Sequence, residues 1–317
     1  MSDYQALYAL FALVLGFPLV RFAMQYAAKL NLAGKHVLVT GASKGLGRAM
    51  AIQFATKHGA RVTLLARGKE ELLAVQSEIE SLGGTCAFWI CDVTDFPSVE
   101  NTVSLAEAKF GPVECLVCCA GQALTGRFVD RSVKDFQSQI SLNYMGSVHF
   151  LKVIVPGMIQ RQSGKLVLCA SQAGFMSCVG YAAYSPSKYA LRGLGDALRN
   201  ELLPFKIDVH VLFPGNMDTP GYEVEQETKP AETKVIESGE ALQKPDDVAK
   251  ACIDSIRKGE FQIYGGNFSG FLMGRMAQGI APRSSFWLDL LISPFLVVIG
   301  WGIRVFVVDK AARARSV

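Results

Sequence analysis

Four histidines and no recurring Cys-x-x-Cys spacing are too little to build a zinc site. The eight cysteines sit mostly in apolar runs such as Leu116-Val117-Cys118-Cys119-Ala120. They read as small buried hydrophobes in a reducing compartment, not as a disulfide framework. Excess charge of one sign is also missing. A net charge of +4 makes no case for a nucleic-acid partner. Internal repeats and low-complexity linkers are absent too, so no repeat array is in play. The 317 residues are enough for one large α/β domain or two small ones; what is plentiful is apolar residue, at 50%, with a positive mean hydropathy that points to membrane contact.

Charge is wholly absent from residues 4–20, YQALYALFALVLGFPLV. That run lies at the lower edge of what spans a bilayer. No basic region precedes it and no small-residue cleavage site follows, which disfavours a cleaved signal. Residues 1–30 are therefore expected to form a membrane anchor, with Arg21, Lys29 and Lys35 holding the downstream side in the cytosol.

From Lys35 the character changes. His36 to Thr40 is a short buried-strand run, the glycine-rich GASKGLG follows, and RAMAIQFATKHG reads as a helix closed by Gly59. Strand, glycine turn and helix together form the context of a phosphate-binding loop. Gly41, Gly45 and Gly47 permit the tight turn, and the helix N-terminus faces the anion. An acid is missing where the second strand, Arg61 to Ala66, ends. A carboxylate there usually binds ribose hydroxyls. Arg67 stands there instead, and Lys44 lies in the loop, so a 2′-phosphate and NADP(H) are favoured.

The alternation continues with a helix over 69–82, a strand over 85–90 followed by Asp92, and a helix over 97–110. Then come a strand over 113–119, a largely helical stretch over 132–161 containing Asn143, and a strand over 165–170 that delivers Ser171. A helix from about Tyr184 to Leu203 and a sixth strand over 207–213 complete the series. Six strands alternating with helices predict a doubly wound parallel sheet of Rossmann type, helices on both faces, with ligands beyond the strand C-termini.

Tyr184 and Lys188, four residues apart, share one helix face. A phenol titrates near pH ~10; a nearby ammonium is expected to lower that value. With Ser171 as a second hydrogen-bonding group, the set suits proton donation to a carbonyl oxygen. Pro186 is tolerated only in a first turn, so the helix is expected to start just before Tyr184.

These motifs resemble the short-chain dehydrogenase/reductase family over about residues 34–265. The resemblance makes Asn143, Ser171, Tyr184 and Lys188 a catalytic tetrad. Asn143 would hold a water in a proton relay to Lys188, which would also hold the nicotinamide ribose. Gly41, Ser43, Lys44, Gly45, Leu46, Gly47, Arg67, Asp92, Val93, Pro214, Gly215 and Thr219 become the contacts of an NADPH cofactor. Asp92 would lie at the adenine, and Pro214-Gly215 at the nicotinamide. The family's usual Asn-Asn-Ala-Gly is here Cys118-Cys119-Ala120-Gly121. The segment Asp218-Thr219-Pro220-Gly221-Tyr222, with Glu225, Thr228-Lys229-Pro230 and Glu232-Thr233, is similar to that of the family's reductases of long-chain sphingoid ketones. The resemblance implies NADPH-dependent ketone reduction in sphingolipid synthesis, at the endoplasmic reticulum membrane with the catalytic domain in the cytosol, and admits a homo-oligomer. Two other readings stand beside it: a membrane-bound steroid or retinoid dehydrogenase, and a silent nucleotide-binding scaffold.

Residues 31–268 are thus expected to form the reductase domain, and 269–317 a membrane-associated segment with a basic tail. The polar segment 223–243 is expected to be a mobile lid. Phe268 to Pro282 fits an amphipathic helix, and the apolar run 286–308 is broken by Asp289, Pro294 and Arg304, which suits a kinked or interfacial segment.

Overall fold

The computed structural model describes residues 31–277 and 286–302, together with 305, 309 and 310. The anchor expected over residues 1–30 lies outside the described residues. The sheet has seven parallel strands, in the order β3-β2-β1-β4-β5-β6-β7. They are β1 (His36–Thr40), β2 (Arg61–Ala66), β3 (Thr85–Ile90), β4 (Cys115–Cys118), β5 (Gly164–Cys169), β6 (Ile207–Leu212) and β7 (Gln262–Ile263). The order reverses between β1 and β4, so a crevice opens there beyond the strand ends. The two-residue β7 escaped the sequence reading because it is too short to show periodicity.

Helices cover both faces. On one lie α1 (Gly45–His58), α2 (Lys69–Ser81) and, later in the chain, α9 (Pro245–Arg257), around a core that includes Val37, Val39, Phe54, Leu64, Leu72 and Ile253. On the other lie α3 (Phe96–Phe110), α5 (Gly146–Arg161) and α6 (Ser185–Leu202), around Leu38, Leu65, Val103, Phe150, Met158 and Leu166. Neighbouring residues Val37, Leu38 and Val39 therefore belong to opposite cores, as strand alternation requires. Both faces are dry, which explains the continuous apolar runs of the strands.

The helical stretch expected over 132–161 is three pieces: α4 (Val133–Ile140), a single wide π-helical turn (Ser141–Met145), and α5. Ser132 caps α4 through a reciprocal pair of hydrogen bonds with Asp135. The wide turn carries Asn143. Periodicity could not show it, because one extra residue per turn leaves the apolar pattern on both sides intact.

The polar segment expected as a lid forms α7 (Pro220–Thr228) and α8 (Ala231–Glu237). Further on, α10 (Phe268–Ala277) follows the sheet, and α11 (Phe286–Gly302) contains Pro294. Gly300 permits a close approach of the last two: a Cβ there would come 2.9 Å from the Met276 sulfur. Among the described residues, no helix is long and apolar enough to cross a membrane.

Candidate active site

Every residue expected at the site except Asn143 lines one cavity of about 750 Å³ beyond the strand C-termini. Its nucleotide end is built from glycine geometry. Gly41 has φ +67°, and a Cβ there would meet the Ala120 backbone at 2.9 Å. A Cβ on Gly47 would stand 2.3 Å from the Gly41 carbonyl oxygen. Only glycine lets α1 begin this close to the sheet. Lys44 precedes α1 in extended conformation and gives no side-chain cap, and the first turn carries no acid. The free amides and positive end of α1 therefore open into the cavity at Gly45, Leu46 and Gly47. That is a fit for a phosphate.

Arg67 lines the cavity at the end of β2. Lys44 does not act alone there. Its Nζ lies 3.1 Å from Oε1 of Glu71, which stands in the first turn of α2 and lines the same wall. Folding thus brings an acid to a place where the linear sequence shows none. Both partners are exposed, and such a pair exchanges readily for another anion. Asp92 Oδ1 accepts from the Thr94 amide at 2.9 Å and the Thr94 hydroxyl at 2.7 Å. These bonds, with a smaller contribution from Arg67, hold its carboxyl below the usual range.

At the other end, Ser171 follows β5 in extended conformation. Its Oγ accepts from the Ala173 amide at 3.2 Å, and it lines the cavity together with Tyr184. Tyr184 is the N-cap of α6, and Pro186 sits in the first turn, where its missing N–H costs nothing. The helix therefore starts one residue after Tyr184. Lys188 is 5% exposed, and its Nζ donates to the Cys169 carbonyl at 2.8 Å. The same ammonium lies 5.6 Å from the centre of the Tyr184 ring.

One expectation needs correcting. On balance Tyr184 is not lowered in this cavity, although the Lys188 ammonium stands beside it. Burial, and after it the Glu225 carboxylate, push the phenol well above its usual value against the opposing effect of Ser171. Burial in turn lowers Lys188, whose ammonium faces the sheet carbonyl. Tyr184 is consequently held as the protonated phenol, the form a proton donor requires.

Asn143 is fully buried, behind the cavity wall. Its Oδ1 accepts from the Gln122 amide at 2.9 Å, and its Nδ2 reaches Gln122 O, Gln139 Oε1 and Ser187 Oγ at 3.0–3.2 Å. The side chain braces the 121–122 loop against α6, and two amide hydrogens already face three protein acceptors. The described side-chain bonds thus tie the 121–122 loop to the first turn of α6.

The short chain dehydrogenase family matches residues 35–230. This chain belongs to that family. A 3-ketodihydrosphingosine reductase of Bos taurus is 40% identical over 261 residues, 81% of this chain and 78% of that protein. A protein of the same name from Dictyostelium discoideum is 31% identical over 311 residues, covering 93% and 92%. A variant of actinorhodin polyketide ketoreductase, crystallised with NADPH, superposes with a TM-score of 0.66 at 27% identity, covering 73% of this chain and 95% of that one.

This short chain dehydrogenase adds cavity residues that the sequence reading passed over. Glu237 and Glu240 line the cavity, and so do Glu225, Gln172 and Tyr181, to which the sequence reading gave no role at the site. Glu225 on α7 and Lys229 just after it stand four residues apart in the segment already noted for its resemblance, an ordinary helical pairing until the fold buries it. Cys119 and Cys169, where β4 and β5 end, also line the cavity. All eight cysteines are free thiols, as the apolar runs implied.

Gly47→Ala tests the glycine contact. It is expected to cost about 1–3 kcal/mol in a thermal melt, through overpacking against Gly41. It is also expected to weaken NADPH binding roughly tenfold or more, read by cofactor fluorescence. Unchanged binding would show that the approach is not required.

Proposed function

We propose that the chain reduces the ketone of 3-ketodihydrosphingosine to the alcohol, with NADPH as reductant. The observation that carries this reading is Tyr184, held as a phenol between Ser171 and Lys188, in the same cavity as an uncapped glycine turn. The names of its relatives support the substrate. When bound, NADPH supplies the hydride that adds to the carbonyl carbon. Gly41, Gly45 and the amides of α1 would hold its pyrophosphate, Asp92 with Val93 its adenine, and Pro214, Gly215 and Thr219 its nicotinamide side. Ser171 orients the ketone oxygen, and the Tyr184 phenol transfers its proton to that oxygen as charge develops there. Lys188, anchored on Cys169 O, keeps a positive charge beside the phenol as it loses the proton. Asn143 fixes the wall behind them.

Tyr184→Phe is expected to reduce NADPH oxidation with 3-ketodihydrosphingosine by roughly 10²–10⁴-fold while leaving cofactor binding intact. Full activity in that variant would sink the mechanism. Equal turnover of steroid ketones or retinal by the unaltered chain would replace the substrate.

The choice of NADPH rests on Arg67, with Lys44 free to exchange Glu71 for a phosphate. Arg67→Ala should raise the KM for NADPH about tenfold and change that for NADH little. Glu71→Gln should move the ratio of the two the other way. An NADH preference in the parent chain would reverse the assignment.

A long-tailed substrate also gives the apolar surface of the last helices a role. We place the chain at the endoplasmic reticulum membrane, with its catalytic domain in the cytosol. In support, Leu291, Phe295, Val297 and Val298 on α11 and Phe268 on α10 are each 67–73% exposed. The double variant Phe295→Asp with Val298→Asp is expected to lower the fraction of full-length protein that floats with anionic vesicles. An unchanged fraction would remove α11 from the membrane contact.

A further inference from the structure

One wall of the cavity carries more negative charge than its own donors neutralise. The Tyr181 hydroxyl lies 2.7 Å from Glu225 Oε1 and 2.5 Å from Glu237 Oε1. A phenol has one proton, so it serves one carboxylate at a time. Lys229, its side chain wholly buried, reaches Glu225 Oε1 at 2.8 Å and Glu237 Oε2 at 2.6 Å. Asn216 Nδ2 adds a bond to Glu237 Oε2 at 3.2 Å. Two carboxylates thus share one ammonium, which leaves the trio at a net charge of −1. Their display is also asymmetric. Glu225 and Glu237 line the cavity while Lys229 does not. Glu240 lines the same wall and accepts a bond from Ser269 Oγ at 3.1 Å.

This excess lies beside the reacting atoms. The Tyr181 ring is centred 5.9 Å from the Tyr184 ring. A second, independent feature accompanies it. Gln172, the residue after Ser171, lines the cavity at 8% exposure, and its Nε2 has no hydrogen-bond partner. Gly215 and Gly270 make room for it: a Cβ on either would come 2.8 or 2.5 Å from that nitrogen. Buried amide donors are almost always paired, so an unpaired one at a cavity wall calls for a ligand oxygen.

We propose that Glu225 and Glu237 receive the ammonium group of an amino ketone, one carbon from the ketone that Tyr184 protonates, and that Gln172 donates to the substrate's hydroxyl. The proposal rests on the substrate reading above and deepens it. The amine, and not the hydrocarbon tail alone, becomes what the site selects. A ligand ammonium supplies both the positive charge and the hydrogens that the paired carboxylates lack. Removing it leaves them buried and short of donors, and a site built around a polar group rejects the analogue without it for that reason.

The test uses the full-length chain and follows NADPH oxidation with 3-ketodihydrosphingosine and with its desamino analogue of equal chain length. The parent chain is expected to prefer the amine by about 10- to 100-fold in kcat/KM. In Glu225→Gln, and separately in Glu237→Gln, that preference should fall about tenfold, through KM more than kcat. Two results overturn the proposal while leaving the substrate reading intact: a parent chain that uses both ketones equally, or variants that keep the full preference. A parent chain inactive on both ketones overturns the substrate reading and this proposal with it. Should one variant lose its helical circular dichroism, the parent ratio and the other variant still decide.

Discussion

The site hangs on the hydrogen bond from Lys188 to the Cys169 carbonyl. An ammonium this buried needs a partner, and no carboxylate forms an ion pair with it among the described residues. The sheet supplies one, because β5 ends at Cys169 and its last carbonyl is free to point beyond the ladder. That bond, with the one from Asn143 to Ser187, ties the first turns of α6 to the end of the sheet. Tyr184, one turn earlier, is thereby held over the crevice, and Ser171, two residues past Cys169, meets it from the strand side. The parallel sheet turns a local pairing into an active-site geometry, since all seven strands finish at the same edge.

Electrostatics then decide which form Tyr184 takes. Lys188 lies near the ring, yet the low polarity of the cavity and the Glu225 carboxylate outweigh it. An isolated phenol beside an ammonium loses protons more easily; a buried one near a carboxylate keeps them. The acidic wall therefore has two consequences. It would attract a cation, and it holds the proton on the donor until a ketone oxygen begins to take up charge. The same logic covers Lys229. Burial alone would strip its charge, but two carboxylates hold it as the ammonium. Through that ion pair α7 and α8 are fastened to each other beside Tyr181, which gives the polar segment a defined fold over the cavity.

The parts legible in the sequence were those with a local cause. Six of the seven strands, the glycine turn and the Tyr184–Lys188 pair follow from buried runs, from backbone freedom and from one helical turn. Pro186 fixed the start of α6 to within a residue. What escaped depends on contacts between distant segments. The proximity of Glu71 to Lys44 needs α2 folded back on the loop. The Tyr181, Glu225, Glu237 and Lys229 cluster joins the loop before α6 to two later helices. In sequence, Glu225 and Lys229 look like any solvated helical pair, and only burial changes their meaning. The expected lowering of the Tyr184 pKa failed for the same reason: it counted the neighbour along the helix and not the solvent the fold removes.

The cysteine replacement of the family's two asparagines shows how far such a substitution can go. Cys118 points into one core and Cys119 faces the other side, against the cavity. Asparagines there would bring four hydrogen-bonding groups that need partners at the sheet's end. Thiols ask for almost none, and Cys119 lines the cavity with Cys169, the residue whose carbonyl anchors Lys188. The wall behind the Lys188 ammonium is therefore lined with weak acceptors, so its one strong bond is to the backbone. A backbone carbonyl cannot swing away as a side-chain amide can. In this chain the position of the lysine, and of the tyrosine one turn before it, is consequently set by the sheet itself.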